Sequence, residues 1–342
     1  MNRLLLLFGL VILSFVSSYA DQNITSCGTV IATVDNYFLN QSLNTTSGNC
    51  IVFQAAASGS TLNCQGFELR DYGSAAHGLI VDANNMILSN CIIRDFNNFN
   101  VDISTDNITF QNTTLLNGVS DFSGVDNSRF INNTLNYEIL RFGRNNNLFS
   151  NNTILNDSII NFISLPSFSN FTDSFFSNSV LSLNVNTQNN NFINLVMINS
   201  TIEQPGIFNT ITQNSFENIT GNVDLTARNL YNNTFTNVDF DYIQLLANTV
   251  QNNTYLNSSI NNITSFNWSQ TPNFFENNSY AQGIVNSSGC IIAAQPEVIC
   301  DTGSWSVFSP VVVSNSSTAS LFPVFGLVNS ILLLGGLFLY FM

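Results

Sequence analysis

The chain has 342 residues, is 44% hydrophobic and 12% aromatic, and carries 8% charged residues for a net charge of −14. Its seven basic residues are all Arg, so P-loop and Schiff-base lysine chemistries are excluded. The negative balance repels phosphate backbones and excludes nucleic acid as a partner.

In chain order, the first element is a targeting segment. Arg3 supplies a positive n-region, residues 4 to 16 an apolar run, and Ser18 and Ala20 a small-x-small cleavage site before Asp21. This predicts a signal peptide over 1–20. In a secreted chain the six Cys are expected in disulfides rather than as reactive thiols. They fall at the two ends, Cys27, Cys50, Cys64 and Cys91 against Cys290 and Cys300.

Between them runs a repeat: an apolar residue, any residue, Asn, then a small polar residue. Its Asn fall at Asn90, Asn112, Asn132, Asn151, Asn178, Asn194, Asn218, Asn232, Asn252 and Asn277, a mean period of about 21 residues, which is a solenoid's signature. The segments between, such as "GLIVDAN" and "NITFQNTTL", are short, rich in Ile, Val, Phe and Thr, and bounded by turn formers. No window sustains a helical period, and disorder requires low hydrophobicity, which 30 Phe contradict. A parallel β-helix follows. Strands of adjacent coils lie ~4.8 Å apart, so like stacks on like. Phe110, Phe130, Phe149, Phe192 and Phe216 are the expected inward ladder. The motif Asn is expected at a turn, where it tolerates left-handed backbone and bonds the next Asn along the axis.

Residues 48 to 96 carry a resemblance to a known family. Leu62, Asn63, Cys64, Gln65 and Gly66, followed one coil later by Leu88, Ser89, Asn90 and Cys91, resemble the opening coils of right-handed parallel β-helix cell-surface proteins with the pectin-lyase-like fold. The resemblance implies an all-β, right-handed parallel β-helix of about 10–12 coils. The expected layout is an N-terminal cap over 21–60, the β-helix over 61–285, a disulfide-closed cap over 286–305 and a Ser/Thr/Asn stalk over 306–320. Cys64 and Cys91 occupy near-equivalent sites on successive coils and are expected to pair. Cys27 with Cys50, and Cys290 with Cys300, would then close the two caps.

The stretch 321–342 contains no charged residue and is long enough to cross a bilayer. It reads as a retained transmembrane helix or as a GPI-attachment signal with Ser314, Asn315 and Ser316 as candidate sites. Either reading makes a membrane the partner of the tail and leaves the bulk of the chain outside the cell. Nineteen N-x-S/T sequons predict surface glycans: Asn23, Asn40, Asn44, Asn107, Asn112, Asn132, Asn151, Asn156, Asn170, Asn199, Asn218, Asn232, Asn252, Asn257, Asn262, Asn267, Asn277, Asn286 and Asn315.

Two function classes remain. One is a glycosylated, membrane-anchored surface protein acting in adhesion, coat structure or glycan binding, with a polysaccharide as its expected ligand. The other, implied by the resemblance, is a tethered polysaccharide lyase or glycoside hydrolase. A hydrolase needs paired carboxylates on one sheet face. Asp239 and Asp241, two apart on a strand, are the first candidates, and Asp121 with Asp126 the second. A lyase would use an Arg base, and Arg141, with Arg144 beside it, is the candidate. The plain structural alternative puts these Arg on the outside, paired with Glu138 or with nothing. The family's hydrolases also carry a His and an Arg-x-Lys near the site. Here there is one His, His77, far upstream at what reads as a turn, and no Lys. This favours the non-enzymatic class. No cofactor is expected. Asp102 and Asp106 are the residues a calcium ion would take, but two carboxylates make no site by themselves. Trp268 could stack on a sugar ring. The repeat of Arg70-Asp71 at Arg94-Asp95 one coil later reads as an exposed charge ladder.

Overall fold

The computed structural model describes residues 21–163, 167–184, 186–205, 210–251, 253–265, 274–276, 278–280, 284–285, 290–292 and 298–300. The expected signal peptide, stalk, anchor and lipid-attachment sites lie outside the described residues. Among those described, no helix is long and apolar enough to cross a membrane.

The chain winds as an all-β parallel solenoid of about 10 turns. Each coil contributes short strands to three faces. The first face begins at Asp21–Ile24 and runs through Asn36–Leu39, Thr61–Asn63 and Ile87–Ser89. The second runs from Leu43–Thr45 through Glu68–Asp71 to Ile92–Arg94. The third runs from Thr29–Ile31 through Asn49–Phe53, His77–Val81 and Phe99–Ile103. Thr114–Phe122 and Thr134–Phe142 are single strands that bend around a corner and serve both the second and the third face, whereas the next coils use separate short strands again. Parallel pairing is thus already present in residues 21–60, the stretch expected as a cap.

The alternation of these strands explains the core. One side chain in two points inward, and stacking coils in register builds columns. The longest is aromatic: Phe110, Phe130, Phe149, Phe171, Phe192, Phe216, Phe235 and Tyr255 are successive register partners on the first face. All are buried, the five expected Phe among them. From Phe171 to Tyr255 the rings stack, with centroids 5.1, 4.7, 4.8 and 4.9 Å apart. Offset stacking adds to what burial alone supplies.

The asparagines divide between two jobs. At the corner after the first face, Asn90, Asn112, Asn132, Asn151, Asn194 and Asn218 all have positive φ, a region Asn tolerates better than other non-Gly residues. Their amides bond along the axis: Asn132 Nδ2 donates to Asn112 Oδ1 at 3.3 Å, and Asn218 Nδ2 to Asn194 Oδ1 at 3.1 Å. A second set is buried. At the corner before the first face, Asn190, Asn214, Asn233 and Asn253 form an internal ladder in which each Oδ1 accepts the preceding coil's backbone N–H at 3.0 Å. A turn buried inside a solenoid must satisfy its amides, and Asn does so without leaving the coil. Pairs such as Asn132-Asn133 and Asn232-Asn233 therefore carry one outer and one inner residue. The expected single ruler of Asn is corrected here: Asn178 and Asn232 belong to two other corners, which accounts for the irregular spacings.

Cys27 pairs with Cys50 and Cys64 with Cys91. Near the C-terminal end Ile284–Val285, Cys290–Ile292 and Val298–Cys300 form a separate antiparallel sheet in which Cys290 and Cys300 are register partners. Their sulfurs lie outside the described residues.

Candidate functional site

The exterior of the third face gathers the polar and aromatic groups of four successive coils. His77 lies opposite Phe99, Asp102 opposite Asp121, and Asp121 opposite Arg141. Parallel pairing sets each of these a strand spacing apart. His77 Nδ1 is hydrogen-bonded to Asn49 Oδ1 at 3.0 Å, and its Nε2 faces Asp102 Oδ2 at 3.8 Å. The His77 and Phe99 rings lie 5.5 Å apart, and the Arg141 guanidinium sits 5.4 Å from the Phe99 ring centroid. Arg141 reaches Asp121 Oδ2 at 3.7 Å. Burial raises the Asp102 carboxyl above its ordinary range. The His77 charge opposes this, and Asp121 and Asp82 add to it. Alongside runs an aliphatic column of Val119, Ile139, Ile159 and Val180, with Ile139 exposed.

Of the expected site residues, the structure brings Asp121 and Arg141 together. It separates Asp126 from them. Asp126 lies at the turn leading to the first face, where its carboxylate accepts the Asn145 N–H and faces Arg144 at 3.8 Å. Asp106 caps the Asp126 N–H at 3.0 Å, so Asp102 and Asp106 do not converge on one ion. Among the described residues no group of three or more His, Cys, Asp or Glu could hold a metal.

Asp239 and Asp241 share the outward side of the strand Thr234–Gln251, with buried Phe240 between them, several coils beyond Asp121. With Gly221, Asn222, Ser259 and Asn261 they line a shallow cavity of ≈ 230 Å³. Asn261 Nδ2 donates to Asp241 Oδ1 at 3.1 Å. The neighbouring Asp224 carboxyl is raised by burial first and by Asp241 second. These are clustered acids; no Arg contact to them is found among the described residues.

Three members of the first cluster are hidden in the sequence. His77 reads as an upstream turn residue, Asp102 as a calcium ligand and Phe99 as nothing in particular. The available signal is the coil length: 77 to 99 and 80 to 102 are each 22 residues, one coil. Glu138, which the sequence offers as an outside partner for the arginines, is instead fully buried. The strand leaves a corner there, and its register turns Glu138 inward while Arg141 points out. The Arg70-Asp71 and Arg94-Asp95 repeat is in register on the second face, with Arg70 Nε bound to Asp95 Oδ2 at 3.0 Å and Arg94 to Glu68. Asp71, however, is buried and caps the Gly73 and Ala75 amides. Trp268 lies outside the described residues.

No family model and no curated protein matches the chain. Among solved structures it is similar to the catalytic domain of a GH87 α-1,3-glucanase in complex with nigerose, at 11% identity and a TM-score of 0.38. An aspartate-to-alanine variant of that domain with tetrasaccharides gives 11% and 0.35. In both, the alignment covers 75% of this chain and 62% of the other, so the chain spans less than two thirds of those domains.

Proposed function

We propose that this protein is a glycosylated extracellular surface protein that binds glycans through the exterior of its third face and is held at a membrane by residues 321–342. The observation that carries this reading is the distribution of sequons. From Asn49 to Gln244 the third-face strands contain none, while the corners and the first face bear Asn107, Asn112, Asn132, Asn151, Asn156, Asn170, Asn199, Asn218 and Asn232. Glycans on those Asn would sheathe the corners and leave the third face bare from Asn49 to Gln244, the next strand of that face, Ser259–Ser265, carrying the sequon at Asn262. That face carries Phe99 as a ring for sugar C–H groups, Arg141 as a hydroxyl donor, and Asp102 and Asp121 as acceptors. Its surplus of carboxylates favours neutral over acidic glycans.

A second reading is hydrolysis, favoured by the raised Asp102 carboxyl in register with Asp121. A carboxyl held protonated by burial is what an acid role requires.

The test uses secreted residues 21–320 with a panel of neutral and acidic polysaccharides, with and without calcium. Binding and chain length are followed together. Binding that is lost in Phe99→Ala and Arg141→Ala supports the first reading. Chain cleavage lost in Asp121→Asn or Asp102→Asn establishes the second, and cleavage lost in Asp239→Asn moves the site to the other cluster. The absence of both binding and cleavage across the panel overturns the glycan reading.

A further inference from the structure

Glu138 is an acid inside the solenoid. It is fully buried, at a corner position filled by Ser158, Ser179 and Ser200 on the following coils, each of which donates to a carbonyl of its own turn. The longer side chain reaches further. Its Oε2 accepts from Asn100 Nδ2 at 2.7 Å and its Oε1 from Ser120 Oγ at 2.7 Å, and the Gly118 N–H also donates to it. Asn100 in turn accepts the Phe96 N–H and donates to the Leu116 carbonyl. Glycine makes the room: a Cβ on Gly118 would lie 2.5 Å from Asn100 Nδ2. Three consecutive coils, holding Asn100, Ser120 and Glu138, are thus tied by one carboxyl.

We propose that Glu138 is a protonation-controlled clamp across these three coils, closed most firmly when its carboxyl carries a proton. Both states can be satisfied locally, because the Ser120 hydroxyl can donate to a carboxylate or turn to accept from a carboxyl O–H. What separates them is charge. The groups facing the carboxyl are Asn100 from the strand Phe99–Ile103, Gly118 and Ser120 from Thr114–Phe122, and the Ser158 hydroxyl, which binds the Glu138 backbone N–H. None is ionisable. The other charged residues on these strands, Asp102, Asp121 and Arg141, have their side chains on the outer side. An unpaired buried carboxylate is disfavoured, and burial accordingly pushes this carboxyl from 4.5 up to about 7 against the opposing hydrogen bonds.

An acid held above its ordinary value leaves the fold most stable where it is protonated. That stability is lost as pH rises from about 4.5 through about 7. The tied coils are also those that bear Phe99, Asp102, Asp121 and Arg141, so the clamp lies directly beneath the proposed recognition face. It stands on its own geometry, and its test does not use a glycan.

The experiment is hydrogen exchange on the full chain in mild detergent at pH 5 to 8, comparing wild type with Glu138→Gln. The variant keeps the shape and removes the titration. The ratio of opening constants between the two proteins, in strands Phe99–Ile103 and Thr114–Phe122, is expected to change on the order of 10²-fold across this range, since raising the carboxyl by one pH unit makes a tenfold difference. Strands several coils away, such as Thr254–Leu256, should show no such change. A ratio constant with pH overturns the proposal. Should Glu138→Gln fail to fold, ¹³C-glutamate labelling of the wild type decides, because Glu138 is one of six Glu. A carboxyl carbon titrating near neutrality supports the clamp, and a set of six that all titrate near 4.5 overturns it.

Discussion

Asn233 Oδ1 accepts the backbone N–H of Asn214, one coil away, at 3.0 Å, and both side chains are buried. Its Nδ2 donates to the carbonyls of Ile211 and Tyr231, each at 2.9 Å. One amide therefore satisfies three backbone groups of the buried corner. The solenoid is held at this corner by side chains acting as backbone.

Asn233→Ala should leave the buried Asn214 N–H unpaired, at about 1–3 kcal/mol, while the Tyr231 carbonyl keeps the Gln213 N–H. Asn232→Ala, one residue away on the outside, should cost only the left-handed backbone preference of about 1–2 kcal/mol. Thermal melts of the two variants are the check. Equal losses would mean that the internal ladder contributes nothing beyond turn propensity.

Phe192 stacks between Phe171 and Phe216. Phe192→Ala is expected to cost about 3–5 kcal/mol by lost burial and the cavity left behind. In a solenoid each coil contacts only its neighbours, so proteolysis should appear first near residue 192 rather than throughout. Uniform cleavage would show that the rod unfolds as a single unit.

On the third face the expectation is the reverse. Arg141 and Asp121 are partly exposed, and such pairs are worth about 0–1 kcal/mol. Phe99→Ala and Arg141→Ala should hardly move the melting temperature, yet each should weaken binding of a recognised glycan by about tenfold, or ~1.4 kcal/mol. A large loss of stability in either variant would make these residues structural.

The Cys64–Cys91 bond closes a loop of 27 residues in sequence separation. Replacing both with Ser should cost about 2–4 kcal/mol, confined to the N-terminal coils. Protease sensitivity of residues 61–95 in the double variant, against an unchanged distal half, is the measurement.

Much of this architecture is legible in the chain before folding. Parallel coils stack like residues on like, so the Phe column, the strand-and-turn rhythm and the recurrence of Asn follow from one-dimensional periodicity. Cys64 and Cys91 follow strands in which Asn63 lies opposite Ser89, so their sites are one residue out of register, near enough for the sequence to suggest the pair that the structure shows. Of the candidate site, Asp121 and Arg141 stand out by residue type, while Phe99 does not. What periodicity cannot supply is phase. Coil lengths vary, from 15 residues between Asp21 and Asn36 to 28 between Asn49 and His77. The repeat therefore names the motif but not the corner on which it falls, and it places Asn178 and Asn232 on the wrong one. A shift of one residue turns a side chain from outside to inside. That alone separates Arg141, exposed on a face, from Glu138, buried beneath it. Periodicity is enough to specify a β-solenoid with an aromatic core and an asparagine at each turn, because stacking energy repeats with the coil. That His77, Phe99, Asp102, Asp121 and Arg141 meet is settled in three dimensions alone, because their meeting depends on the summed lengths of every intervening turn.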